Sequence, residues 1–568
     1  MTFLLAQQRR TALLSGALVL IILKLWLVAA QPVVAHGNAG YDDRLFLELA
    51  GHVVDGDWLG PYSQFTLMKG PMYSFFIAGN FLLGLPLPLA QHLLYLFGCA
   101  LLVLALRPCF TTGWQAFAFF ALLWWQPMSY VILDVVRQSL YTPLTLMLFA
   151  GLCALETRRS GSMRTRLAWG VLLGISAAAF YLTREEGIWV VPGTVLLIGA
   201  AAWNSWRAGE RLRPLVVPIL AAAICATGIL GTVCALNYHY YGWFGTVEFR
   251  APEFLSAYGA LQRPVPSKEI PYVPVTREVR LKLYNVSPAF AELKFWLEGI
   301  IGLEWATYSE YLTGRPAEDR EMSGGRFMWA LRDAVVESGH GRNAREALDF
   351  YKRLALEVNG ACDEGLLGPT RRRRDTMIPP WRPENTQRLR DTAFDYVKYF
   401  FLFREFTVYP TLSNGPWQEL RLFRELTRWP VAASDEAPEL ALPLQSRVDH
   451  WRLATLQTLG DGFRWLCVSL AISGFGAWTW AAVRAIRRRA GTYLLVIATA
   501  VLGSALAVML IALLVQVVSF PNQSPIALHE GYPLLVLFGV TAWTAAMYPH
   551  TPGGDAQSGT GTSNSLPE

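Results

Sequence analysis

Stretches of about twenty apolar residues, nearly free of charge, recur along this chain, and this most restricts what it can become. They cover residues 11–30, 88–106, 114–133, 138–155, 167–182, 187–203, 214–236, 462–483, 492–520 and 531–547. A bilayer offers the backbone no hydrogen-bond partner, so segments of this length must cross it as helices. The expected fold class is an all-α polytopic membrane protein of about ten transmembrane helices, with an amphipathic outer loop and a mainly helical extramembrane domain. Composition agrees: 53% of residues are hydrophobic and only 16% are charged, against roughly 25% in soluble domains. The run 71–85 is shorter and interrupted by Gly79, Asn80 and Gly84, which fits a re-entrant or interfacial helix. Arg9 and Arg10 before the first run mimic a signal peptide, but its length favours an uncleaved first helix.

The arginines set the expected orientation. With the N-terminus cytoplasmic and 71–85 not crossing, the cytoplasmic loops carry Arg107, then Arg158, Arg159, Arg164 and Arg166, then Arg207, Arg211 and Arg213, then Arg484, Arg487, Arg488 and Arg489. Every arginine-rich short loop then falls inside, as the positive-inside rule requires. Four modules follow: a transmembrane module over 1–237 with its outer loop at 31–87, an extracytoplasmic domain over 238–461, C-terminal membrane helices over 462–548, and a disordered Gly/Ser/Thr-rich tail over 549–568. Seven cysteines are scattered without a CxxC pair, so neither a zinc framework nor a disulfide framework is indicated.

The outer loop holds the most suggestive chemistry: Gly40-Tyr41-Asp42-Asp43-Arg44, then Gly56-Asp57-Trp58, then Lys69-Gly70-Pro71. Adjacent carboxylates at a membrane surface are costly unless hydrated, paired or used. Leu45, Leu49 and Val53 at helical spacing suggest a short helix lying along the bilayer. A hydrated loop with ordinary surface charges is the plain alternative.

Other helix ends carry charge as well. In Thr183-Arg184-Glu185-Glu186-Gly187 the charges either pair locally or hold a phosphate, whose geometry guanidinium matches. In Asp134-Val135-Val136-Arg137 a local ion pair comes first and a phosphate contact second. Asn237-Tyr238-His239-Tyr240-Tyr241-Gly242-Trp243 reads first as an interfacial aromatic belt, with sugar stacking as the alternative. His529 and Glu530 open the last run; Glu530 suits a helix cap, and a substrate contact is the second reading. The run Arg371 to Arg374 is either a solvated loop or a contact for anionic headgroups. Nucleic acid is not an expected partner on that side.

Taken together, these motifs resemble the GT-C superfamily of integral-membrane glycosyltransferases, in the branch with aminoarabinose transferase and the protein O-mannosyltransferases. There a first span leads into an outer loop with an acidic pair, a Gly-Asp-Trp-like turn and a Lys-Pro-Pro-like segment. The matching residues are Asp42-Asp43, Gly56-Asp57-Trp58 and Lys69-Gly70-Pro71. Leu182 to Gly187 is similar to a Thr-Arg-Pro-Glu/Asp-Gly segment of some members, and Tyr240-Tyr241-Gly242 to their Tyr-Tyr-Gly. His529-Glu530-Gly531-Tyr532 loosely echoes a Glu-Arg-Tyr segment. The likeness covers roughly the first 245 residues. The second acid is Asp where the family has Glu, and the pair lies about one residue closer to Trp58. Asp42 and Asp43 therefore both stand as the base, Asp42 first.

The resemblance implies transfer of a sugar from a polyprenyl-phosphate donor to an acceptor hydroxyl on the extracytoplasmic face, as in cell-envelope glycan, glycolipid or glycoprotein synthesis. The setting would be a plasma membrane, bacterial and inner. Asp42 or Asp43 would take the proton. Lys69, Arg184 and Arg137 would hold the lipid phosphate, and Glu185, Glu186, Tyr241, His529 and Glu530 would contact substrate. No cofactor is required; a divalent metal is possible. The rival readings are a transporter or flippase of a lipid-linked glycan, which expects charges buried mid-span such as Lys24, and a membrane scaffold.

Overall fold

The computed structural model describes residues 2–207, 209, 213–437, 447–488 and 492–548. Arg211, Arg489 and the tail from Pro549 lie outside the described residues. The first part comprises α1 (Thr2–Val28), α2 (Asp43–Val54), α3 (Met72–Leu82), α4 (Leu87–Leu106), α5 (Gly113–Trp124), α6 (Gln138–Thr157), α7 (Met163–Thr183), α8 (Val191–Arg207) and α9 (Arg213–Tyr241). An extramembrane segment follows with α10 (Pro252–Leu261), α11 (Arg277–Leu283), α12 (Pro288–Glu292), α13 (Lys294–Glu298), α14 (Ile300–Thr307), α15 (Glu310–Thr313), α16 (Gly324–Val335), α17 (Ala344–Asp363), α18 (Pro383–Phe401) and α19 (Trp417–Thr427). The chain closes with α20 (Arg447–Arg488), α21 (Tyr493–Val518) and α22 (Gly531–Met547). Among the described residues there are isolated β-bridges but no strand.

Among the described residues, eight helices are long and apolar enough to span a bilayer. They are carried by α1, α4, α6, α7, α8, α9, α20 and α21, and α6 is the most enclosed of them. α22 has 17 residues and α5 only 12. The expected span over 114–133 is therefore corrected: its helix stops at Trp124. The cause is Pro127, which drives Gln126 to an extended ψ of 131° and ends the helix before it. Twelve residues rise about 18 Å, short of a hydrocarbon core of about 30 Å.

A helix that stops early leaves carbonyls without partners. Two are met by other helices: Tyr95 Oη of α4 donates to Leu123 O at 2.8 Å, and Lys24 Nζ of α1 donates to Trp124 O at 2.5 Å. The same ammonium donates to Ser129 Oγ at 2.7 Å and lies 4.1 Å from the Trp124 ring centroid. The lone lysine in the first span thus caps a broken helix, the task that irregular backbone at membrane depth demands.

The outer-loop helix α2 forms as its spacing predicts, but its apolar face does not lie on lipid. Leu45 and Leu49 are buried, against α3 and α19. The extramembrane segment is mainly helical, as expected, and α16 and α17 are two of its longer helices. α20 begins at Arg447, ahead of the apolar run expected from residue 462.

Two features tie this segment to the bundle. Residues 33–36, just after α1, run extended and bridge to three distant strips: Val33 to Val431, Val34 to Asp134 and His36 to Asn414. α18 lies across the ends of the last helices. Tyr396 Oη donates to Asn522 O at 3.0 Å, Phe400 packs on Tyr532 with ring centroids 5.4 Å apart, and Arg464 Nε of α20 donates to Leu402 O at 3.1 Å.

Candidate functional site

The acidic pair sits where the loop enters α2. Asp42 precedes the helix and Asp43 is its first residue. A carboxylate there suits the positive end of the helix dipole. The two side chains part company: Asp42 is 65% exposed, whereas Asp43 is buried. Asp42 Oδ1 accepts from Lys69 Nζ, and that ammonium also lies 5.1 Å from the Phe46 ring centroid.

Lys69 reaches Asp42 because its loop presses onto the end of α7. Gly70 makes that approach possible: a Cβ there would sit 2.1 Å from Leu182 O. The contact brings the loop against the start of Thr183-Arg184-Glu185-Glu186. Arg137, at the start of α6, approaches the same point, with Nη1 3.4 Å from Thr183 O and 3.9 Å from Glu185 Oε2. Lys69 therefore binds Asp42 directly, and Arg137 and Arg184, from separate parts of the chain, lie near enough for their charge to act on it. Partial enclosure pushes its carboxyl up, but Lys69, then Arg137 and Arg184, overcome this and hold it below its ordinary value. Enclosure lowers Lys69 from its ordinary value, and Asp42 resists the change.

Behind Asp42 lies a second group. His36 Nε2 meets Asp134 Oδ1 at 3.0 Å, and Asn414 Nδ2 lies 2.9 Å from His36 Nδ1. With the Asn414 amide donating, the imidazole proton belongs on Nε2, toward Asp134. That hydrogen bond raises His36 above its ordinary value, against the effect of burial. Burial, then Asp42 and Asp134, push Asp43 well up. Asp43 Oδ2 has no hydrogen-bond partner among the described residues. His36, Asp43 and Asp134 each offer a ligand atom, all within 4.8 Å of one another. One imidazole and two carboxylates suit a divalent ion once the Nε2 proton leaves.

The third group continues from Arg184. Its Nε lies 3.1 Å from Glu186 Oε2 and its Nη1 3.9 Å from Glu530 Oε1. Arg250 reaches Glu186 at 3.5 Å. Burial pushes Glu186 up, but Arg184, Arg137 and Arg250 bring it to about 2. Glu530 shows the opposite balance: burial raises it to about 7, against Arg184 and Arg137.

Asp42, Asp43, Lys69, Arg137, Arg184, Glu185, Glu186 and Glu530 thus gather at one end of the bundle. His529 and Tyr241 are committed elsewhere. Both ring nitrogens of His529 are occupied, Nδ1 by Thr142 Oγ1 at 2.6 Å and Nε2 by Met128 O at 2.7 Å, and burial lowers it to about 4. Tyr241 donates to Gly60 O at 2.8 Å, and its neighbour Asn237 accepts from Trp58 Nε1 at 3.0 Å. The aromatic run and the Gly-Asp-Trp turn therefore hold each other. The local pair expected between Asp134 and Arg137 is absent among the described contacts; Asp134 faces His36 and Arg137 faces Glu185. His36 and Asn414 carried no signal in the sequence.

The extramembrane segment clamps the loop that bears Lys69. Tyr41 donates to Asp333 Oδ2 at 2.8 Å. Glu248 N donates to Leu67 O at 2.8 Å, and its carboxylate accepts from Tyr62 Oη at 2.6 Å and Arg332 Nη1 at 2.8 Å. Arg332 Nη2 also donates to Ser63 O at 3.1 Å. Trp58 and Leu67 adopt positive φ, 50° and 60°, strained conformations that this clamp over-determines.

No family model matches the chain, and no curated protein matches it. Among solved structures, the crystal structure of ArnT from Cupriavidus metallidurans in the apo state aligns over 95% of this chain and 78% of that one, at 14% identity and a TM-score of 0.32. At that TM-score the likeness carries no weight for fold or function.

Proposed function

We propose that this integral membrane protein is a glycosyltransferase that moves a sugar from a polyprenyl-phosphate donor to an acceptor hydroxyl at the extracytoplasmic surface. The observation that carries the reading is the pairing of Lys69 with the exposed carboxylate of Asp42, within reach of the charges of Arg137 and Arg184. A phosphate ester bound there meets cations where its leaving oxygen gains charge. A base lies beside the same point.

The acceptor oxygen attacks the anomeric carbon and its proton passes to Asp42. The bond from the anomeric carbon to the phosphate oxygen breaks, and its electron pair stays on the phosphate. Lys69 links the two events. An entering phosphate competes with Asp42 for its ammonium. As Lys69 turns to the phosphate, Asp42 loses the partner that holds its carboxyl low and becomes a better base. Arg184 and Arg137 complete the phosphate site, and Glu186 and Glu185 hold their guanidinium groups. A divalent ion, where bound, would be held by His36, Asp43 and Asp134 and would add positive charge beside the leaving group.

The test is transfer from purified polyprenyl-phosphate sugars to membrane glycolipid and glycoprotein acceptors, in reconstituted vesicles. Asp42→Asn and Lys69→Ala are each expected to lower turnover about 10²-fold or more. Full turnover in both variants would falsify the assignment. Donor that crosses the bilayer without losing its sugar identifies a transporter instead.

A further inference from the structure

The arginine run 371–374 takes no part in the site above, and its surroundings indicate a ligand. The strap from Arg371 to Arg382 leads into α18, which lies over the bundle ends. Close by is Val518, the last residue of α21. Val518 lines one recess with Tyr272, Pro379, Pro380 and Arg388. Pro380 also borders the adjoining groove, which is lined by Arg263, Arg371, Arg372, Arg374, Ile378 and Trp381. The groove therefore adjoins a recess that the end of a membrane helix helps to line.

Its charge is only partly neutralised. Glu269 accepts from Arg371 and Arg382, both at 2.5 Å, and Asp363 accepts from Arg263 at 2.6 Å. Arg373 lies 3.8 Å from Asp375. Among the described residues, neither Arg372 nor Arg374 has a carboxylate partner. Around these two free guanidinium groups stand apolar side chains turned outward. Ile378 is 66% exposed and Trp381 48%, and both line the same groove. Water alone is a poor neighbour for that set, and apolar groups beside unpaired cations suit the headgroup level of a bilayer.

We propose that this groove is a docking site for an anionic phospholipid. Arg372 and Arg374 engage the headgroup phosphate, while Ile378 and Trp381 enter the upper acyl region. A phosphodiester supplies the paired oxygens that guanidinium binds. The lipid's acyl chains cover the apolar residues, which a free anion leaves exposed. The contact seats the extramembrane segment on the outer leaflet through α18. The inference rests on the placement of this groove and stands apart from the sugar-transfer reading.

The test uses the full-length protein in mixed micelles with a photoactivatable phosphatidylglycerol, and the same probe built on phosphatidylcholine as control. Adducts are mapped by mass spectrometry of peptides. Phosphatidylglycerol is expected to label the segment 376–382, and the phosphatidylcholine probe is not. In the double variant Arg372→Gln/Arg374→Gln this labelling should fall about tenfold, given the strength of basic residues near an anionic surface. Adducts on the membrane helices, unchanged between the two proteins, show that the variant is folded. Equal labelling by both probes, or labelling that survives the double variant, overturns the proposal. So does complete loss of the adduct in millimolar inorganic phosphate, which assigns the groove to a free anion.

Discussion

Lys69 holds one carboxylate and faces one aromatic ring, so its replacement has two separable effects. In Lys69→Ala, Asp42 loses its nearest cation and its carboxyl should titrate at higher pH than in the wild type. Lys69→Arg keeps the charge and should retain more turnover than Lys69→Ala, as steady-state rates with a saturating donor will show. Glu530 makes a stability prediction. Its folded value of about 7 lies above its ordinary value, so the folded state holds the proton more tightly than the unfolded state. That stabilisation is full below the ordinary carboxylate range and is lost as pH rises through about 7. Glu530→Gln removes the titration, so its unfolding free energy relative to wild type should climb between pH 5 and pH 8, by an amount on the order of 2 kcal/mol. A difference that stays flat with pH shows that Glu530 does not titrate in this way. At this scale the sequence was informative where charge sits at helix ends. Arg137 and Arg184 were visible in that way, and Asp42 and Lys69 as charges of the outer loop. His36 was not, because its partners lie 98 and 378 residues away and no local period connects them.

Helices show where a residue pattern speaks for itself and where it needs a partner. The long spans were legible because length and hydropathy alone decide them. The early stop of α5 was written in Gln126-Pro127, a signal that an apolar run masks when hydropathy is read alone. Its repair by Lys24 was hidden, since nothing in α1 says which carbonyl its ammonium will meet. Lys24→Met should therefore act on stability first. It leaves a carbonyl and a hydroxyl without their donor and should lower apparent stability by about 1–3 kcal/mol. Thermal melts in one detergent check this, and a variant as stable as wild type removes the capping role. The clamp on the outer loop behaves differently. Glu248→Ala strands the fully buried Arg332 and should cost about 3–5 kcal/mol. It should also expose the loop near Trp58 to Leu67, read as new protease cleavage there under native conditions.

For the whole molecule the first question is which way it faces. The site segments, from the outer loop, the starts of α6 and α22 and the end of α7, meet at one end of the bundle. The arginine-rich loops expected in the cytoplasm belong to the other end. Tyr311→Cys in the extramembrane segment should react with a membrane-impermeant thiol reagent in intact cells, and Ser160→Cys only after lysis. Background is low, because five of the seven native cysteines are buried and the other two lie within α9. The reverse labelling pattern turns the site to the cytosol and ends the proposed reaction.

The bridge from His36 to Asn414 has a consequence for biosynthesis. Translation adds about 5–20 residues per second, so the 378 residues between these partners take roughly 20–75 s to make. During that interval the acidic loop has already emerged, but the imidazole that steadies Asp134 has no anchor. On the proposed reaction, a chain cut short before residue 414 lacks the anchor of His36 and should show no sugar transfer, however well its first helices insert.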